Sequence, residues 1–166
     1  MRRFATVAVA TMLLIGVQNA WGLSASDPKD TPGGLDIASS SIKIAPIGGG
    51  AYRTRLAVST YKAFDLSNGK GSFFWQIDSY GDGAVDYIAK VFGDPEAVPA
   101  EPVFCLVKSR NPDLIYKAYV KVTATDTRVV CGLPRHDLKM TKSVRWRVAG
   151  SLNGLVDRAP DIGWNG

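Results

Sequence analysis

The sequence predicts an all-β, antiparallel fold, a sandwich or a barrel, on three observations. Short segments that alternate apolar and polar residues recur about eight times along the chain. Gly, Pro, Asn and Asp fall between them at the spacing of turns. No long stretch repeats its apolar residues at the helical period of 3.6. The organising stretch is Phe73–Phe92. Phe73, Trp75 and Ile77 share one face at period two, and Tyr87, Ala89 and Val91 do the same beyond Gly81-Asp82-Gly83. Those glycines can supply the positive φ angles of a tight turn, so the stretch reads as a central β-hairpin tipped by Asp78, Asp82 and Asp86.

The remaining elements are justified in order. Residues 23–34 hold Pro28, Pro32, Gly33 and Gly34 and read as an irregular lead-in. A strand follows at about 36–44, then a turn at Gly48-Gly49-Gly50. In 51–60, Tyr52, Thr54, Leu56 and Val58 alternate against Arg53 and Arg55, the pattern of a strand with one buried face. Residues 93–102 carry three prolines and read as a loop. Strands are expected at 103–108 with Cys105, at 116–124, and at 128–133 with Cys131. Pro134 to Met140 suits one helical turn. The last expected strand, 143–149, turns Val144, Trp146 and Val148 inward and Arg145 and Arg147 outward. Residues 151–166, rich in Gly, Asn and Asp, read as a tail.

The amino end has its own signature. Arg2 and Arg3 precede an uncharged apolar run, Phe4–Val17, and Ala20-Trp21-Gly22 places small residues at the −3 and −1 positions of a cleavage site. That is the layout of a secretory signal peptide, residues 1–22, followed by one domain, 23–166. The run is shorter than the ~20 residues a membrane span needs, and no other stretch suits a span after cleavage. Export makes a Cys105–Cys131 disulfide the expectation. Strands on either side of a third in one sheet would hold the cysteines about 10 Å apart, beyond bonding reach. The bond therefore requires adjacent strands or strands facing across two sheets.

The formal net charge of +5 falls to about +3 without Arg2 and Arg3, an ordinary solubility charge. No cluster of Lys and Arg interleaved with aromatics marks a nucleic-acid groove. The lone histidine, His136, has no serine elbow for a Ser-His-Asp site and too few companions for zinc. His136 and Met140 would leave one face of a helical turn, so they cannot clasp a haem from opposite sides. The acids sit in Gly/Pro loops, which suits turns or a hard cation better than a buried catalytic acid. Asp27, Asp30 and Asp36 lie within ten residues, and Asp161, with Asp157 as the alternative, can join them where the chain ends meet. Calcium takes six to eight oxygen ligands and fits such a loop. A second, weaker candidate is the hairpin tip. Asp78, Asp82, Gly83 and Asp86 fall at positions 1, 5, 6 and 9 of the EF-hand loop, with Ala89 where its bidentate Glu belongs.

The entry Asp27-x-x-Asp30-Thr-x-Gly-x-Leu-Asp36-Ile and the tract Trp75-x-Ile-Asp78, with Gly-Asp-Gly-x-x-Asp86-Tyr87 after it, carry a resemblance. So do Leu133-Pro-Arg, Arg145-Trp146-Arg-Val and Asp157-Arg-Ala-Pro-Asp161. Together, over about Asp27 to Gly163, they resemble secreted family 9 carbohydrate-binding-module-like, or DOMON-like, β-sandwiches. The resemblance implies a two-sheet sandwich and strengthens the expectation of calcium. Members of that family hold sugar between aromatic rings, whereas Trp75 and Trp146 here fall at inward strand positions and read as core. The expectation is a secreted, non-catalytic binding or envelope-surface module, calcium-stabilised, with an extracellular glycan or cell-envelope component as partner. A secreted hydrolase using the Asp loops, and an inhibitor or protein-binding domain using a loop such as Glu96–Glu101, are the alternatives.

Overall fold

The computed structural model describes residues 20–49, 51–66, 69–93, 103–110, 114–119, 126–134, 138, 140–161 and 163–166. The side chains of 51, 114–119 and 134 are not described. The expected signal sequence up to residue 19, His136 and the Glu96–Glu101 loop lie outside the described residues, as does most of the expected helical turn at 134–140.

The fold is an antiparallel β-sandwich. Its strands are β1 (Trp21–Ser26), β2 (Ile37–Gly48), β3 (Ala51–Thr60), β4 (Gly71–Asp78), β5 (Tyr87–Gly93), β6 (Val103–Ser109), β7 (Leu114–Tyr119), β8 (Arg128–Pro134), β9 (Arg145–Leu152) and β10 (Leu155–Ala159). One sheet has the order β1-β2-β3-β8, the other β10-β9-β4-β5-β6-β7. The Phe73–Phe92 hairpin occupies the middle of the larger sheet, with β4 paired to both β5 and β9.

The alternation read from the sequence is the alternation observed. Phe73, Trp75 and Ile77 on β4 and Trp146 and Val148 on β9 are buried, and Ala89 and Val91 on β5 join them. From the facing sheet come Ile37, Ile42, Leu56, Val58, Val129 and Leu133. A polar contact runs through this layer: Trp146 Nε1 donates to Ser40 Oγ at 2.9 Å, so the indole reaches the facing sheet with its N–H satisfied. Truncating an aromatic of this size in a closed core typically costs about 3–5 kcal/mol.

Cys105 on β6 and Cys131 on β8 are bonded to each other, with 5.8 Å between their Cα atoms. The two strands belong to different sheets, so the bond is a staple across the sandwich, one of the two geometries the sequence allowed. β8 is an edge strand, and the staple ties that edge to the larger sheet.

Two strands were not expected. Trp21–Ser26 pairs with β2 in unbroken register from Trp21↔Ile44 to Ser26↔Ser39. Trp21, Leu23 and Ala25 pack against the core, so the lead-in is irregular only from Asp27 onward. The strand contains Trp21 and Gly22, the last two residues of the expected signal peptide. At the other end, Asn153-Gly154 turns the chain with φ of 52° and 85°, and β10 returns along β9. Asn-Gly with both residues at positive φ is the favoured two-residue hairpin turn. The Asn153-Gly154 signal is local, but the polar tail around it hides the strand that follows. The expected strand at 116–124 is β7, 114–119, with 120–125 outside the described residues. The central hairpin also lacks a tight turn: β4 ends at Asp78, β5 begins at Tyr87, and residues 79–86 form a wide loop.

Candidate functional site

Of the aspartates named as candidate ligands, Asp27, Asp30 and Asp157 come together, and the charges of Asp161 and Asp36 reach Asp27. Between β1 and β2 the chain turns through Pro28, Pro32 and Gly33. Asp27 is fixed at both backbone ends, its N–H donating to Ala38 O at 3.0 Å and its carbonyl accepting from Tyr61 Oη at 2.6 Å. From the far end of the chain comes Asp157, at an inward position of β10. Its Oδ2 accepts from the Ile37 N–H at 2.5 Å and its Oδ1 from Thr31 Oγ1 at 2.8 Å. The first bond ties β10 of the larger sheet to the start of β2 in the smaller one, and the second ties it to the loop before β2, so the two sheets are joined at this point.

Oxygens of Asp27, Asp30 and Asp157 lie within 4.8 Å of one another. Asp157, the alternative acid of the sequence reading, thus supplies the third oxygen of this group in place of the preferred Asp161. The reason is strand parity: Asp157 points inward from a paired strand, while Asp161 sits in an exposed bend after Pro160. Asp161 remains at the rim, close enough to Asp30 for the two carboxyls to act on each other. Asp36 is buried beside the group, and its charge reaches Asp27.

The electrostatics are those of a site short of positive charge. Burial, then the charges of Asp157, Asp161, Asp30 and Asp36, push the Asp27 carboxyl up from 3.8 to about 7. Asp161 is raised as well, first by the charge of Asp30, then by burial, the hydrogen bond to Asp30 and the charge of Asp157. Asp27 is only 5% exposed, yet its Oδ2 has no hydrogen-bond partner among the described residues, nor has Oδ1 of Asp36, which is 2% exposed. A buried, unpaired carboxylate oxygen is expensive, and two of them beside three further carboxyls ask for a cation. The donor set is all oxygen, which suits calcium or another hard divalent ion and not zinc or copper. Asp27, Asp30 and Asp157 would hold such an ion directly, with the charges of Asp36 and Asp161 nearby.

The hairpin tip is built differently. Asp78 is fully buried, and its Oδ1 accepts the N–H groups of Gly81 (2.6 Å) and Asp82 (3.1 Å). Its Oδ2 accepts the Gly83 N–H (2.7 Å) and the Arg145 guanidinium, through Nη2 at 2.8 Å and Nε at 3.2 Å. Burial by itself would raise this carboxyl. The Gly83 N–H, the Arg145 guanidinium and the N–H groups of Gly81 and Asp82 outweigh it and hold the group below the usual carboxylate range. Asp86 Oδ2 accepts from both the N–H and the hydroxyl of Ser79, and Asp82 Oδ1 from the Ala84 N–H. Turn and ion-pair chemistry therefore accounts for Asp78, Asp82 and Asp86. The sequence reading missed Arg145 as the counter-ion. The two meet only because they are register partners at the ends of paired strands, a pairing that neither stretch shows by itself.

Two hollows border the aspartate site. A small one of about 160 Å³ lies between residues 31–36 and the β9–β10 hairpin, with Asp36 and Asp157 in its wall. A larger cleft of about 470 Å³ opens on the outer face of β4, β9 and β10, and Asp161 is in its wall. Trp75 and Trp146 are 0% exposed and belong to the core, as their strand positions indicated. Among the described residues no helix is long and apolar enough to cross a membrane. No protein-family model matches the chain, and neither a curated protein nor a solved structure does so.

Proposed function

We propose that the protein is an exported, non-catalytic binding module whose sandwich is locked by a calcium ion at the meeting of its chain ends. The observation that carries this reading is the pair of buried oxygens on Asp27 and Asp36, unpartnered among the described residues, beside the Asp27–Asp30–Asp157 group. An unfolded chain has no such assembly, so ion binding adds to folding. The leader-like amino end and the inter-sheet disulfide support export. The resemblance to carbohydrate-binding-module-like sandwiches supports a glycan or cell-envelope partner.

The test is thermal unfolding of the purified protein with calcium, with magnesium and with chelator. Calcium raises the melting temperature and chelator lowers it. Asp30→Ala removes the difference at little cost to the fold, because Asp30 is exposed. A melting temperature indifferent to calcium and chelator would leave these aspartates as turn formers and end the proposal.

A further inference from the structure

The outer face of the larger sheet carries positive charge and no acid among the described outward positions of β4, β5, β6, β9 and β10. One cross-strand row runs Arg158, Ala149, Phe74, Lys90, and the next pairs Arg147 with Gln76. Arg147, Arg158 and Lys90 are exposed, while Phe74 and Gln76 are half-buried between them. The chain end builds a wall over this face. Asn165 exchanges backbone hydrogen bonds with Trp146 at 2.7 and 3.0 Å, and its side chain donates to Ala159 O at 3.1 Å. That anchor sets Trp164 against Arg147, with 4.9 Å from the guanidinium carbon to the ring centre. The result is the 470 Å³ cleft, whose size falls in the range of small-ligand sites.

Arg147 is oriented before any ligand arrives. Its Nε donates to Gln76 Oε1 and its plane is steadied by the indole of Trp164. Neither Arg147 nor Arg158 has an ion-pair partner among the described residues. A planar guanidinium held on one edge and open on the other suits a carboxylate, which it can bind through two parallel hydrogen bonds. Between the two arginines, Phe74 offers an apolar floor. Asp161 is the one acid in the wall, and the neighbouring charge of Asp30 raises its carboxyl.

We infer that this cleft binds a carboxylate-bearing saccharide, its acid group on Arg147 and Arg158 and the apolar face of a sugar ring on Phe74. The inference rests on the reading of the chain as a binding module and names its ligand class and its site. Charge complementarity selects an acidic ligand over a neutral one. The state of the rings selects a saccharide over single-stranded nucleic acid. Trp164 is covered by Arg147, and Phe92 lies under Lys90 with 5.1 Å between Nζ and the ring centre. Among the described residues of this face, no open pair of rings is left for successive bases to stack on.

The test is isothermal titration calorimetry of the full protein with trigalacturonate, with neutral galactotriose and with single-stranded DNA, in calcium and in chelator. Trigalacturonate binds, galactotriose binds at least about tenfold more weakly, and added salt weakens the acidic ligand further. Arg158→Gln and Arg147→Gln each weaken trigalacturonate by about tenfold or more. Arg55→Gln, an exposed cation on the facing sheet, leaves binding unchanged. Melting curves of each variant confirm that it is folded. Equal binding of the neutral sugar, no binding of trigalacturonate, tighter binding of DNA, or an equal loss from Arg55→Gln each overturns the inference. If calcium still raises the melting temperature while trigalacturonate fails to bind, the cleft assignment alone is refuted. If both fail, the reading beneath it falls too.

Discussion

Asp27→Asn should stabilise the protein in chelator and destabilise it in calcium, an inversion that few structural roles produce. In the folded chain without a cation the Asp27 carboxyl keeps its proton to about pH 7, against an ordinary value of 3.8. A gap of about three pKa units corresponds to about 4 kcal/mol. The sign follows from linkage. A raised folded-state pKa contributes stability that is fully present below about pH 4 and is lost as pH climbs through 7. Above that window the folded, cation-free protein carries an ionised carboxylate that burial and four neighbouring acids oppose. Asparagine cannot ionise, so it escapes this penalty, though an unpaired buried amide costs about 1–3 kcal/mol in its place. The net gain for the variant is about 1–3 kcal/mol at pH 8 in chelator, and it turns into a loss of about 1–3 kcal/mol toward pH 4, where the ionisation penalty is gone and the amide's cost remains. Calcium reverses the order. At a hundred times its dissociation constant it stabilises the wild type by about 2.7 kcal/mol, and the variant has lost a ligand. Urea unfolding of both proteins across pH 4 to 8, with and without calcium, reads this out as a difference curve from which shared titrations cancel. A variant less stable than wild type in chelator at pH 8 would refute the reasoning, because it would mean that ionised Asp27 has a favourable partner.

Other consequences can be measured on the same protein. Reducing the Cys105–Cys131 bond, which spans 26 residues, should lower stability by roughly 3–4 kcal/mol in the chain-entropy model, and labelling of free thiols in the unfolded, unreduced chain should find none. Arg145→Ala should cost about 1–3 kcal/mol at pH 7, since Asp78 keeps its three N–H donors but loses its counter-ion. Asp78→Asn should be destabilising at pH 7 and converge with wild type as acid protonates the native carboxylate, because a depressed folded-state pKa contributes stability that is lost as pH falls through it. Gly81→Ala should destabilise by about 1–2 kcal/mol, which denaturant titration can read. Its φ is 78°, and an added Cβ would lie 2.6 Å from the Ser143 carbonyl oxygen. A wild-type midpoint for this variant would mean that the loop at 79–86 relaxes freely.

The all-β class, the faces of β3, β4, β5 and β9, and the core placement of Trp75 and Trp146 were all decided locally. Side chains in a strand alternate with period two, so a row of apolar residues names its own buried face. The gathering of the Asp27 and Asp157 ends was also legible, because acids crowded among prolines and glycines suit few arrangements and chain ends often meet. Local pattern failed where partners in space decide. Trp21–Ser26 carries little strand signal beyond its alternation, and it is a strand because β2 offers it an edge. Asp157 outranks Asp161 because β10 exists and turns Asp157 toward Ile37 and Thr31. Asp78 looked like a ligand until Arg145 and three backbone N–H groups closed around it. The basic cleft was invisible because Arg147, Arg158 and Phe74 come from three strands, and only sheet order brings them into neighbouring rows. Sequence periodicity reports which face of an element is buried. Which elements share a sheet, and so which charges meet, depends on long-range pairing that no short stretch of chain encodes.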